Sequence, residues 1–356
     1  MKKVDFYCII LWYDIIGGEN VEKLKKTLPV LAVVLIAVLF VTSLFNEKTK
    51  TESVTGFAMG SPVNITVYNA KNGENSCNLA IERIKYIDEN YLSHTSSDSA
   101  VYKLNNGETV KSEWFAEYLN DCFELNSKSK KFTLFSGEFK DLWKIENGGY
   151  IPTDDELAKV LENHKNSLIA IDDDNNEISI GWGKLDLGAL GKGTACDEAI
   201  KCLKEQKIKK ALVTVGGSVG MMGDDSFNIG VRNPFGSQSE YFAVLNVDNC
   251  FISTSGDYEK YFDKDGIRYS HIFDATTGKP VQNDLSSVTV VAESGQLSDF
   301  LSTVVYIEGV EKGVQIAKDF DAFVIIVKKD KSVLISEELK DKVTLKDDSF
   351  SVSVIE

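Results

Sequence analysis

Proline is scarce, five in 356 residues, which excludes a collagen-like or proline-rich linker architecture. Cysteine is scarce as well. Cys8, Cys77, Cys122, Cys196, Cys202 and Cys250 are scattered, no CxxC occurs, and the closest pair, Cys196 and Cys202, has no histidine nearby to complete a zinc set. A disulfide framework is excluded on the same ground, and the cysteines read as small apolar residues. Histidine occurs three times, without an HExxH pair. Positive charge is in deficit: 39 Lys+Arg stand against 54 Asp+Glu, a net charge of −15, and no basic stripe with interleaved aromatics runs through the chain. Nucleic-acid binding is thereby excluded, because neutralising phosphates needs a basic face. If such an acidic chain handles an anionic substrate, glycine-rich backbone amides or a metal ion must supply local help.

What is present is globular: 43% hydrophobic, 10% aromatic and 26% charged residues suit one large domain or two modest ones. Leu28 to Phe45 is eighteen residues without a charge, long enough to cross a bilayer as a helix. Lys23, Lys25 and Lys26 precede it, so the positive-inside rule puts residues 1–27 in the cytoplasm and the main domain on the extracytoplasmic side of a cell membrane. No A-x-A-like site and no lipid-accepting cysteine follow, which favours an uncleaved signal-anchor. Residues 46–55 read as a polar linker and 56–356 as the functional domain.

Within that domain Phe57 to Asn69 predicts a strand. Ala80, Ile84, Ile87 and Tyr91, and then Phe115, Leu119, Cys122 and Leu125, keep the 3.6-residue period of amphipathic helices. Thr153 and Glu156 form a capping box. Strands are expected at 167–171, 177–180, 211–215, 226–231, 241–247 and 287–292, with helices at 296–308 and 310–319. A regular βαβα alternation is missing, so the fold class expected is α+β with mixed, largely antiparallel sheets.

Chemistry concentrates in a few segments. Leu185 to Ile200 places Gly188, Gly191 and Gly193 around a strand-to-helix turn with Lys192 inside it. That suits an anion on backbone amides, or simply a closely packed helix start; it is neither a Walker A loop nor a dinucleotide fingerprint. Asp299 and Thr303 are four apart on one helical face, either ligands for a hard cation or a helix-start carboxylate and a hydroxyl bonded back to a carbonyl. Segments 252–257 and 269–278 are hydroxyl-rich and turn-prone, the second containing His271. Val213 to Met221 reads as a strand entering a tight turn or a floor for a flat ligand.

Taken in order, Ala58-Met-Gly-Ser61, Ser93 to Asn105, Asp186 to Asp197, Val215-Gly-Gly217, Ser253 to Tyr258, Ser270 to Gly278 and Asp299 to Thr303 resemble the motifs of the FAD:protein FMN transferase (ApbE, flavin transferase) family. The resemblance runs from Gly56 to Gly309 and implies an ApbE-like, T-fold-related domain. It implies Mg²⁺-dependent transfer of FMN from FAD to a Thr or Ser hydroxyl of an acceptor flavoprotein subunit, with release of AMP. It further implies that Ala189 (through its carbonyl), Asp299 and Thr303 hold the metal, that Met59, Asp186, Lys192 and Ile272 contact FAD, and that His271 is the essential catalytic histidine, either activating the acceptor hydroxyl or orienting the phosphate. Phe135, Ser136 and Gly137 are the expected flavin wall.

The chain departs from the family at three places. His94 and Thr95 replace a tyrosine. Thr133 to Glu138 keeps only Gly137, ahead of Leu142-Trp143, from D-P-T-V-G-P, and Asp274-Ala275 replaces Asp-Pro. The altered loop raises an alternative, a non-catalytic FAD-binding or flavoprotein assembly factor. No S-G-A-T acceptor motif is present, which argues against a protein that carries covalent FMN itself.

Overall fold

The computed structural model describes residues 49–172 and 174–355. The expected membrane segment Leu28 to Phe45 lies outside them, and among the described residues no helix is long and apolar enough to cross a membrane. From Thr51 onward the chain forms one unit.

Strand β1 (Lys50–Ala58) and β2 (Ser61–Ala70) make a hairpin. Two expectations are corrected here. The single strand 57–69 is interrupted, because Met59 and Gly60 both take positive φ (54° and 64°), the geometry of a two-residue primed turn. The polar stretch 46–55 is strand from Lys50 on, where Ser53 and Thr55 bond across to Asn64, and Thr66 to Ser53. Polarity there marks a solvated sheet edge instead of a linker.

Helix α1 (Gly73–Ile87) follows, ending in a π turn at Asp88–Leu92. Then come α2 (Ala100–Asn105), β3 (Val110–Lys111), α3 (Glu113–Asn126), α4 (Gly137–Trp143), α5 (Asp154–Lys165), β4 (Leu168–Asp172) and β5 (Glu177–Trp182). The capping box of α5 forms as expected: Thr153 accepts from the Glu156 amide and Glu156 from the Thr153 amide. The second half contains α6 (Gly191–Glu205), β6 (Ala211–Val215), β7 (Ser218–Met222), β8 (Phe227–Arg232), β9 (Tyr241–Val247) and β10 (Phe251–Gly256). After these come β11 (Tyr261–Lys264), β12 (Ile267–Ser270), β13 (Phe273–Asp274), β14 (Lys279–Pro280), β15 (Leu285–Ala292), α7 (Gly295–Glu308) and α8 (Val310–Lys318). Strands β16 (Phe323–Lys328), β17 (Ser332–Ser336), β18 (Val343–Leu345) and β19 (Ser351–Ile355) end the described chain.

The main sheet runs β1-β2-β6-β7-β10-β15-β16-β17-β19. Its pairs from β2 to β17 are antiparallel and β17 with β19 is parallel, which bears out the mixed, largely antiparallel α+β class. Both faces are covered. On β15 and β16, Val288, Val290, Val324 and Ile326 join the core under helices α1, α6 and α7, while Val291, Ile325 and Val327 join a second core with Phe242, Leu245 and Phe350. Alternation along a strand therefore feeds two cores, which is why β15 is buried at every position.

Of the turn-prone segment 252–257 only Asp257 falls in a turn, and residues 252–256 lie in strand β10. Its hydroxyls are consumed between the sheet and α7: Ser253 bonds Ser218 (3.0 Å) and Ser298 (2.8 Å), and Ser255 bonds Ser302 (2.8 Å) and Thr303 (3.1 Å). The five cysteines among the described residues are free, four of them buried.

Candidate active site

The site is organised by two helix N-termini in backbone contact. A Cβ on Gly193 in α6 would lie 1.9 Å from the Gly295 carbonyl oxygen, and one on Gly295 in α7 would lie 2.1 Å from the Gly193 oxygen, so neither position admits a side chain without separating the helices. Each helix then caps the other. Asp299 of α7 accepts from the Gly193 amide (3.0 Å), and Asp197 of α6 accepts from the Gly295 and Gln296 amides (2.8 Å each). Carboxylates on first-turn amides satisfy orphan donors and complement the helix dipole. Burial nevertheless pushes the Asp197 carboxyl up to about 6, against the pull of those two amides.

Lys192 stands one residue before this contact. Its Nζ donates to the Gly188 carbonyl (3.3 Å) and lies 3.9 Å from Asp299 Oδ1. Ala189 is half-buried in the turn between Gly188 and α6. Thr303 sits one turn beyond Asp299 and donates to its carbonyl (3.3 Å). Both plain structural roles of the pair, the cap and the back-bond, are thus real, and they leave Asp299 Oδ1 with Lys192 as its nearest charge. Among the described residues no group of three His, Cys, Asp or Glu could hold a metal. One buried carboxylate with hydroxyl and carbonyl oxygens suits Mg²⁺, which keeps several positions for water and substrate phosphate. The donor chemistry fits.

Asp186 enters from the other side. Its amide donates to the Leu134 carbonyl (2.7 Å), its Oδ1 accepts from Gly188 (2.8 Å) and its Oδ2 pairs with Lys140 at 2.5 Å. Burial alone would raise this carboxyl, but the Lys140 ammonium and the Gly188 amide hold it down at about 2. The loop before α4 runs alongside: Gly137 donates to the Lys184 carbonyl (3.1 Å), and a Cβ there would meet that oxygen at 2.9 Å. Gly137 is therefore required by packing. The Phe135 ring is buried at 7% exposure against Phe123, and Ser136 precedes the first turn of α4.

Met59 is brought in by the hairpin turn. Its amide donates to Asp88 (2.7 Å), which holds the positive φ, and its Cε is 2.9 Å from where a Gly191 Cβ would stand. The Val215-Gly-Gly217 segment is a tight turn of the β6–β7 hairpin, with a Gly216 Cβ position 3.4 Å from the Lys192 side chain. His94 and Thr95 are exposed near the start of the Ser93 to Asn105 stretch.

His271 follows β12. Its amide donates to the Lys260 carbonyl (3.0 Å), and the same oxygen lies 3.2 Å from Nδ1. Since a carbonyl only accepts, Nδ1 carries the proton and Nε2 is left as an acceptor. An edge of the ring stays accessible, yet protein surrounds it. Burial first, then the charges of Lys140, Lys192 and Lys260, push its pKa down to about 3, so the imidazole is neutral at physiological pH. Ile272 is buried at 4% and belongs to the main core.

Sequence reasoning missed Lys140 and the capping role of Asp197. For Asp197 the signal was present, since a carboxylate four residues after a helix-start glycine lies one turn from it. A cavity of about 390 Å³ between Trp143, Tyr269 and the end of α7 shares no residue with this site.

The structure thus brings Lys192, Asp299 and Asp197 together at the joined starts of α6 and α7, with Asp186 and Lys140 on the turn before α6. A profile of the ApbE family matches residues 59–326, and the chain belongs to that family. The chain is 29% identical over 297 residues to a FAD:protein FMN transferase of Klebsiella pneumoniae, covering 80% of this chain and 91% of that one. Among solved structures, the ApbE protein of Thermotoga maritima is similar at TM-score 0.74 and 28% identity, over 82% of this chain and 99% of that one. The apo flavinyl transferase ApbE of Pseudomonas stutzeri is similar at 0.67 and 26%, over 80% and 93%.

Proposed function

We propose that this chain is a Mg²⁺-dependent FAD:protein FMN transferase that esterifies a Thr or Ser hydroxyl of an acceptor protein with FMN and releases AMP. The observation that carries the reading is the joined start of α6 and α7, which sets Lys192 and Asp299 beside the turn holding Ala189, with His271 within the field of Lys192. The acceptor oxygen attacks the FMN phosphorus, the diphosphate P–O bond breaks toward AMP, and His271 Nε2 takes the hydroxyl proton. Lys192, whose ammonium stands over the Gly188 turn, supplies positive charge to the diphosphate at the start of α6. Ala189, Asp299 and Thr303 would hold Mg²⁺, whose charge neutralises phosphate oxygens. A neutral histidine with a free acceptor nitrogen favours the transferase over a passive FAD binder.

The test incubates the full-length protein with FAD, Mg²⁺ and a Thr-containing acceptor domain and weighs the acceptor. A gain of FMN less one water is expected; an unmodified acceptor with intact FAD would sink the reading. The Leu28 to Phe45 run with its preceding lysines supports an extracytoplasmic domain on a membrane anchor, and a reporter fused after Glu356 should be active outside the cytoplasm.

A further inference from the structure

Lys140 stands on α4, outside the segments that carry the family resemblance. Its ammonium pairs with Asp186 Oδ2 at 2.5 Å, and a Cβ on Gly188 would lie 3.5 Å from the same nitrogen. It therefore overhangs the Gly188 turn, and its side chain keeps 32% exposure while Asp186 keeps 8%. The two segments are tied along their length. Asp186 donates its amide to Leu134, Gly137 donates to Lys184, and Lys184 pairs with Asp141 at 2.5 Å.

This geometry poses an electrostatic problem in a chain of net charge −15. A buried carboxylate beside a diphosphate repels it, and a buried charge without a partner is costly in its own right. We propose that Lys140 is a positioning residue of the FAD site: it neutralises Asp186 and holds that carboxylate on the Gly188 amide, so that the diphosphate meets a neutral pair instead of an anion. The inference rests on the transferase reading and deepens it. Lys192 contributes positive charge directly to the nucleotide, whereas Lys140 acts through Asp186.

Two consequences distinguish this role from a direct phosphate contact. Removing Lys140 matters only while Asp186 is charged, and arginine substitutes for it. The experiment measures FAD affinity of the full-length protein by flavin fluorescence for Lys140→Met, Lys140→Gln, Lys140→Arg, Asp186→Asn and the Lys140→Met/Asp186→Asn double variant. K140M and K140Q should each raise Kd about tenfold, equivalent to about 1.4 kcal/mol. K140R should stay within about twofold of wild type, and in the D186N background K140M should cost less than about threefold, the signature of coupling between neighbours. K140Q retains a hydrogen-bond donor, so it keeps the test open if K140M does not fold. Equal losses in both backgrounds, or no loss in K140M and K140Q, would overturn the proposal. Absence of FAD binding by the wild-type chain would instead overturn the transferase reading on which it rests.

Discussion

Gly193→Ala isolates the contact on which the whole site depends. The added methyl would stand 1.9 Å from the Gly295 carbonyl oxygen, 2.3 Å from its carbon and 2.8 Å from Asp299 Cβ, and the first two obstacles are backbone. To reach an ordinary separation the helix starts must part by roughly 1.5 Å. That movement stretches the 3.0 Å bond from Gly193 to Asp299 and the 2.8 Å bonds from Gly295 and Gln296 to Asp197. Overpacking of this kind costs about 1–3 kcal/mol, and each hydrogen bond to a charged group contributes about 1.5–3 kcal/mol. With partial relaxation the expected loss is about 3–5 kcal/mol, a fall in Tm of roughly 5–8 °C for a domain of about 300 residues. Displacing Asp299 by an ångström should reduce transfer about 100-fold. Thermal unfolding and an acceptor-labelling assay read the two effects, with Gly181→Ala as control because its Cβ position meets only Leu168 at 3.5 Å. A Gly193→Ala protein with wild-type Tm and transfer rate would refute the reasoning.

Three other outcomes follow from the same geometry. Asp299→Ala should abolish Mg²⁺-dependent transfer, and Thr303→Ala should reduce it less, since water replaces a neutral ligand more readily than a carboxylate; unchanged transfer by Asp299→Ala in excess chelator excludes this metal site. His271→Ala should hold FAD within about tenfold of wild-type affinity while transfer falls about 100-fold or more, whereas Lys192→Ala should weaken binding and transfer together. The Asp186 carboxyl is depressed to about 2 in the fold, so its contribution of about 2 kcal/mol is present above pH ~4 and lost as pH falls toward 2. Asp186→Asn should flatten that part of the acid-unfolding curve, and an unchanged curve would show that the Lys140 pair does not stabilise the ionised form.

The parts of this protein legible in the sequence are those set by neighbours in the chain. The apolar spacing of Ala80, Ile84 and Ile87 produced α1, and Thr153 with Glu156 produced the capped start of α5. Strand β10 was hidden because Ser253, Thr254 and Ser255 resemble a turn until α7 and β15 supply partners for their hydroxyls. The Met59 turn was hidden because the residue holding it, Asp88, is remote in sequence. Gly193 and Asp299 each stand out in the sequence, yet their meeting across 106 positions is a property of the folded pair of helices alone. The resemblance named the residues, and packing explains why glycine stands at 193 and 295.

The titration of His271 gives the most discriminating test of how the site works. In the free protein burial and three lysines hold its pKa near 3, and a base that weak is a poor partner for a Thr hydroxyl. The proposed substrate corrects this. A diphosphate drawn to Lys192 and the Gly188 turn brings negative charge against the same lysines, so part of the field that depresses the imidazole is cancelled on binding. Proton affinity then rises when the acceptor hydroxyl needs a base, and Nδ1 remains fixed by the Lys260 carbonyl throughout. The acid limb of kcat reports the substrate complex and that of kcat/KM the free enzyme. The first should therefore lie at higher pH than the second, by about one unit or more for the loss of one nearby charge interaction. Coincident limbs would mean that the diphosphate does not approach the lysines facing His271, and the placement of FAD in this site would have to be abandoned.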